Sequence, residues 1–216
     1  MMSHDALVFA HLIGVVLLGG AIFDALFGDH RVRRARSIEQ LDDALRGIER
    51  SGQWLLAPGV VLLLASGAWL VAREYGGWHF VEVPWLAGMV LLYALESARG
   101  ATLTRRHATR LRRAVDEAPA RARVPAEVDR LRRDPAAILG RFLEATLFVL
   151  IVALGVFRPQ SWAMFWVGAV AALVAAALAA YVVTSGAPAT SSSSRASVDG
   201  DGLSPSVAAS TSRQRW

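Results

Sequence analysis

The sequence predicts an all-α membrane protein: a four-helix transmembrane bundle plus a fifth transmembrane helix, with the N-terminus outside and the C-terminus cytoplasmic. Three observations predict it. First, the chain of 216 residues holds five long apolar runs: 5–28, 54–73, 84–103, 139–157 and 161–184. A bilayer core is about 30 Å thick and a helix rises about 1.5 Å per residue, so roughly 20 apolar residues span it. Second, the arginines alternate in sidedness. Loops 29–52 and 104–138 hold sixteen, against only Arg73 and Arg158 on the other side. Basic loops stay in the cytoplasm, which puts both loops inside. Third, Trp69, Trp78, Trp85, Trp162 and Trp166 fall at or near the predicted outer interface, and Trp54 at the inner one. Indole rings favour the headgroup level, where the ring stays apolar and its N–H stays wet.

Composition agrees with a polytopic protein of a bacterial cytoplasmic membrane. The hydrophobic fraction is 54% and mean hydropathy is +0.39. That surplus lies in blocks. The net charge of +5 would suit a nucleic-acid partner, but the arginines sit where a membrane protein needs them, so no nucleic acid is expected. The expected partners are the lipid bilayer itself and anionic headgroups at the arginine-rich loops. There is no cysteine, which excludes disulfides, thiolate metal sites and thiol redox chemistry. All 23 basic residues are arginine.

Taken in order, span 1 (5–28) has no positive segment before it and is too long for a signal-peptide core, so it reads as an uncleaved helix. Loop 29–52 follows with six arginines, then span 2 (54–73) and span 3 (84–103). Loop 104–138 holds ten arginines. Within it Leu111, Ala114 and Val115 have helical spacing, which suits a helix on the inner leaflet or an extension of span 3. Val128 and Leu131 suggest a second short helix, and a solvated, partly helical connector is the plain alternative. Span 4 (139–157) and span 5 join through Arg158-Pro159-Gln160 as an antiparallel hairpin. Residues 1–159 thus form the four-helix membrane domain and 160–184 the fifth helix. Span 5 has no ionisable group and is rich in alanine, which reads as a packing face or the face of a homo-oligomer. Residues 185–216 are rich in Ser, Gly, Asp and Ala and read as a disordered cytoplasmic tail.

Six ionisable residues fall inside the spans. Such groups are costly there and face a partner, a cavity or the bundle interior. His11 lies well inside span 1, with Gly14 at i+3 and a Gly19-Gly20 pair below it. Small residues admit another helix or a flat cofactor. A neutral imidazole can ligate haem iron, or simply hydrogen-bond a neighbouring helix. The other five lie toward the arginine-rich side. Glu96 and Arg99 are i, i+3 on span 3, and Arg141 and Glu144 are i, i+3 on span 4, which puts each pair on one helical face. With Asp24 they form a candidate polar network: an anion or propionate site, a proton path, or a structural ion-pair cluster with snorkelling arginines.

The pattern resembles a known family. Span 1 carries Ala10-His11-Leu12-Ile13-Gly14, span 2 opens Trp54-Leu55-Leu56-Ala57-Pro58-Gly59 and later has Ser66-Gly67, and span 4 carries Arg141-Phe142-Leu143-Glu144 and ends Phe157-Arg158-Pro159. Over about residues 5–159 this resembles a bacterial family of predicted integral membrane proteins with a domain of unknown function. More distantly it is similar to HemJ-type protoporphyrinogen oxidases and CopD-like membrane domains. The HemJ likeness implies haem b and oxidation of protoporphyrinogen IX. It implies His11 as the haem-iron ligand, with Arg141 and Glu144 as the matched polar positions of the cofactor site. HemJ-type proteins place a lysine early in the third helix. Here Trp85-Leu86-Ala87-Gly88-Met89 has none, which leaves a single-ligand haem, a second ligand such as Met89, or no haem. Copper is disfavoured, because soft ligands are scarce. The function classes left open are a haem-dependent membrane redox protein, a non-catalytic membrane scaffold without cofactor, and a transporter subunit.

Overall fold

The computed structural model describes residues 3–119 and 123–185. Among them the chain is almost wholly helical. Helix α1 runs His4–Arg34, α2 Ile38–Ser51, α3 Ala57–Glu74, α4 Pro84–Arg99, α5 Arg105–Asp116, α6 Ala126–Arg132, α7 Pro135–Phe157 and α8 Trp162–Ser185. The tail expected beyond Ser185 lies outside the described residues.

Four helical stretches are long and apolar enough to cross a membrane: His4–Arg34, Ile38–Glu74, Ala126–Phe157 and Trp162–Ser185. The predicted third span falls on α4, which is 16 residues long. At about 1.5 Å per residue that is roughly 24 Å, short of a bilayer core on its own. It continues without a break through a π turn, Gly100–Thr104, into α5. A second π turn, Gly52–Leu56, joins α2 to α3.

Glycines set the register of the bundle. A Cβ on Gly14 would lie 2.7 Å from the Leu63 backbone nitrogen, and one on Gly59 would lie 2.8 Å from that of Leu18. Helices α1 and α3 therefore touch backbone to backbone, running antiparallel. The small residues of span 1 admit a helix here. Gly19 is a socket for the Phe148 ring of α7, and Gly88 of α4 a socket for Phe165 of α8. Phe165 is almost fully buried, among Leu92, Leu147, Leu154 and Ala172. The alanine-rich α8 thus spends part of its small-residue face, Ala172 and Ala176, inside the chain. Elsewhere the bundle shows large apolar side chains outward, Phe9, Val16, Phe27, Val61 and Trp69 among them. Apolar exposure on that scale suits lipid and not water.

The arginine-rich loops are where structure departs most from expectation. Loop 29–52 is not a loop: α1 continues to Arg34 and α2 follows after Ala35–Ser37. Ser37 caps α2, its hydroxyl accepting from the Gln40 N–H at 3.3 Å. Ile38, Leu41, Leu45 and Ile48 form the apolar stripe of that helix. It packs with Val32, Ala35, Leu111, Val115 and Val128 into a second apolar core, in which Leu41 is completely buried. The α5 face of Leu111 and Val115 thus covers protein: of the two placements the sequence left open, a helix on the inner leaflet or an extension of span 3, α5 is the extension. Val128 and Leu131 do open a short helix, α6. The polar end of the bundle is therefore a folded helical cap.

Trp85 lies at the expected end of the bundle but packs inside the chain. It is buried, packs edge-on against Tyr75 at 6.1 Å, and carries the Arg158 guanidinium 5.4 Å above its ring. Arg158 adopts φ 47° at the end of α7, a conformation usually left to glycine. The other outer tryptophans, Trp69, Trp78, Trp162 and Trp166, are exposed.

Candidate functional site

Two polar clusters lie inside the bundle. The first is built on His11. Its Nδ1 lies 3.2 Å from Ser66 Oγ on α3. Ser66 is buried, and its hydroxyl donates back to the Leu62 carbonyl at 2.5 Å. The serine proton is thereby committed, so Ser66 Oγ acts as acceptor and His11 Nδ1 as donor. That tautomer leaves the lone pair on Nε2. Gly67 makes room for the ring, since a Cβ there would lie 3.2 Å from His11 Cε1.

The second cluster joins α4 to α7. The Arg99 Nε donates to both Glu96 carboxylate oxygens at 3.1 Å, and a terminal nitrogen of the same guanidinium also reaches Glu96. Arg99 lies 3.8 Å from Glu144, and Arg141 donates to Glu144 at 3.2 Å. Glu144 is shared between two arginines from two helices. All four side chains are largely buried, between 17% and 23% exposed. Gly140 gives Arg99 its place: a Cβ there would sit 2.9 Å from the guanidinium. Two acids and two arginines leave the cluster neutral.

Asp24 does not join them. It lies 3.7 Å from Arg31 on its own helix and is 41% exposed. By helix rise it shares the depth of Glu144, but its helix turns it another way.

The two clusters are far apart. Gly19 of α1 faces Phe148 of α7. His11 lies eight residues from Gly19 toward the tryptophan-rich end, and Arg141 lies seven residues from Phe148 the opposite way. At 1.5 Å per residue the separation along the axis is roughly 22 Å. A porphyrin's iron and its own carboxylates are closer together than that, so His11 and the Arg141–Glu144 pair belong to separate sites. The α1–α3 seam is also filled by backbone at Gly14 and Gly59, leaving no slot for a flat ring between these helices. Met89 packs toward α7 at Gly155, with its sulfur 3.5 Å from where a Cβ would be. Among the described residues no three His, Cys, Asp or Glu side chains converge as a metal site. What these residues leave for a haem iron is the Nε2 lone pair of His11.

The cap holds polar residues that sequence reading passed over. Arg132 is buried and donates to the Val32 and Ala35 carbonyls at 3.0 and 2.6 Å, closing the C-terminal end of α1, while Asp129 holds its other edge. Arg112 bridges α5 to α2 through Asp42 at 2.6 Å. His107 of α5 lies 3.7 Å from Asp134, whose carboxylate caps α7 by accepting from the Ala136 N–H. Burial holds the His107 pKa below the usual histidine range, although Asp134 pulls the other way. Only Ser66 had a signal in the sequence, as the Ser-Gly step of span 2.

No curated protein and no solved structure matches this chain, so a likeness to HemJ-type oxidases or CopD-like domains is not shown. A family model described as "Predicted integral membrane protein (DUF2269)" matches residues 5–159, most of the chain. The match covers the bundle through α7, including both polar clusters and the cap, and stops before α8. The chain belongs to this family of predicted integral membrane proteins.

Proposed function

We propose that this protein is a non-catalytic membrane scaffold. Five helices cross the bilayer, α4 with its π turn supplying the fifth crossing, and the arginine-rich cap faces the cytoplasm. One observation carries the reading: every ionisable residue singled out inside the spans has a partner in the chain. His11 has Ser66, Asp24 has Arg31, and Glu96, Arg99, Arg141 and Glu144 have each other. Apart from the Nε2 lone pair of His11, these groups spend their polar valence within the chain, and the His11–Ser66 and Arg99–Glu144 contacts do so between helices. The cap then carries the working surface. Exposed Arg50, Arg105 and Arg106 flank the two π turns, at the level where anionic headgroups would meet them.

A specific observation favours a second reading, haem b on His11. The Ser66 hydrogen bond fixes the imidazole in the tautomer that a ligating histidine needs. An absorption spectrum of the detergent-purified protein, expressed with ample haem supply, separates the two. The scaffold reading expects no Soret band. A stoichiometric band that His11→Ala removes would overturn it and justify an assay of protoporphyrinogen oxidation.

A further inference from the structure

Helix α5 is asymmetric in how it uses its charges. Its inner face is committed: Leu111 and Val115 are buried in the cap core, His107 faces Asp134, and Arg112 pairs with Asp42 and Asp116. Its outer face carries Arg106, Arg110 and Arg113, spaced i, i+4, i+7 and therefore one above another. All three are exposed, and none has a carboxylate within ion-pair distance among the described residues. Three like charges over roughly 10 Å of one helix face repel each other, and only the packed inner face keeps them aligned.

We infer that this stripe is a docking face for an acidic segment of a partner protein. The inference rests on the reading that α4 crosses the bilayer. The chemistry follows from the side chains: a guanidinium binds a carboxylate in a two-pronged fork, and a rigid row of three loses little freedom on doing so. Lipid headgroups are the competing occupant, and reach argues against them. The headgroup layer extends about 5–8 Å beyond the hydrocarbon on each side. The crossing ends with the π turn at Thr104; counted from there along the continuous helix, Arg106 stands roughly 3 Å, Arg110 roughly 9 Å and Arg113 roughly 14 Å away. Arg106 lies among the headgroups, Arg110 at their outer edge and Arg113 above them.

The test uses the full chain in phosphatidylcholine nanodiscs, with fluorescein-labelled octaglutamate as probe and anisotropy at low salt as readout. Saturable binding is expected. The double variant Arg110→Gln/Arg113→Gln should weaken it about three- to tenfold, the scale of two exposed ion pairs. Arg34→Gln/Arg130→Gln removes equal charge from exposed positions elsewhere on the cap and should weaken it less than about twofold. Equal losses in the two variants would overturn the inference, as would absence of saturable binding. Phosphatidylglycerol repels an anionic probe by surface charge alone, so the lipid arm is read with the variants: if Arg110→Gln/Arg113→Gln no longer differs from Arg34→Gln/Arg130→Gln once phosphatidylglycerol is in the disc, the stripe is assigned to lipid instead. A haem spectrum would sink the scaffold reading and leave these binding results standing, so the two failures are distinguishable.

Discussion

Gly14→Ala should loosen the bundle at its tightest crossing. The added Cβ would stand 2.7 Å from the Leu63 nitrogen, 3.0 Å from its Cα and 3.1 Å from its Cβ. Two of these are backbone atoms, which cannot rotate aside, so α3 must retreat from α1. Overpacking of this kind costs about 1–3 kcal/mol. Alanine is the better helix former and offsets up to about 1 kcal/mol of it. The retreat also stretches the His11–Ser66 bond one turn away. A net loss of about 1–2 kcal/mol should lower the thermal midpoint by roughly 2–8 °C for a chain of this size. Gly20→Ala is the matched control, because nothing lies within 4 Å of its Cβ position. Both variants would be melted in the same detergent and followed by circular dichroism. A Gly14→Ala midpoint at or above that of Gly20→Ala would refute the close α1–α3 contact.

Three further outcomes follow from the same geometry. Arg132→Met leaves the Val32 and Ala35 carbonyls without their donor, for a loss of about 2–4 kcal/mol. Arg132→Lys should recover part of it, and a Met variant as stable as wild type in denaturant titration would remove Arg132 from the α1 terminus. Glu144→Gln takes away the charge shared by Arg99 and Arg141 and should destabilise by about 1–3 kcal/mol. In a double-mutant cycle, adding Arg141→Met should cost less than it does in wild type; strict additivity would mean the two do not interact. His107 makes stability pH-dependent. Its folded pKa is depressed by burial, so the unfolded chain takes up the proton first and stability falls as pH drops below about 6.5. Asp134 moderates the effect, while Arg141 and Arg110 reinforce it. His107→Gln should flatten the slope of the thermal midpoint between about pH 8 and pH 5; parallel slopes would count against it.

The bundle was legible because lipid imposes a long apolar run on every crossing, and that signal survives in a single sequence. Pairing within Glu96–Arg99 and Arg141–Glu144 was legible for a similar reason, since helical spacing alone puts i and i+3 together. Asp24 shows the limit of such counting. Helix rise gave its depth, but its direction depends on how α1 is rotated against its neighbours, which no local pattern records. The cap was hidden by its own charge. Ile38, Leu41, Leu45 and Ile48 carry a helical stripe, yet the six arginines around them marked the segment only as a basic cytoplasmic loop. Arg132 was less legible still, because the carbonyls it serves lie about a hundred residues earlier in the chain. The Gly14 and Gly19 sockets were readable as close approach, while what fills them, Leu63 and Phe148, required the packed structure.

The cap can receive a cytoplasmic partner only if α4 completes a crossing and the arginine-rich end faces inward. The chain has no cysteine, so single cysteines report sidedness without background. Glu82→Cys and Gln160→Cys mark one end, Glu49→Cys and Arg113→Cys the other, and all four positions are exposed. Labelling intact spheroplasts with a membrane-impermeant maleimide should modify Glu82→Cys and Gln160→Cys and spare the other two until the membrane is opened. Modification of Glu82→Cys and Arg113→Cys together in intact cells would contradict the crossing of α4, and with it the cytoplasmic cap.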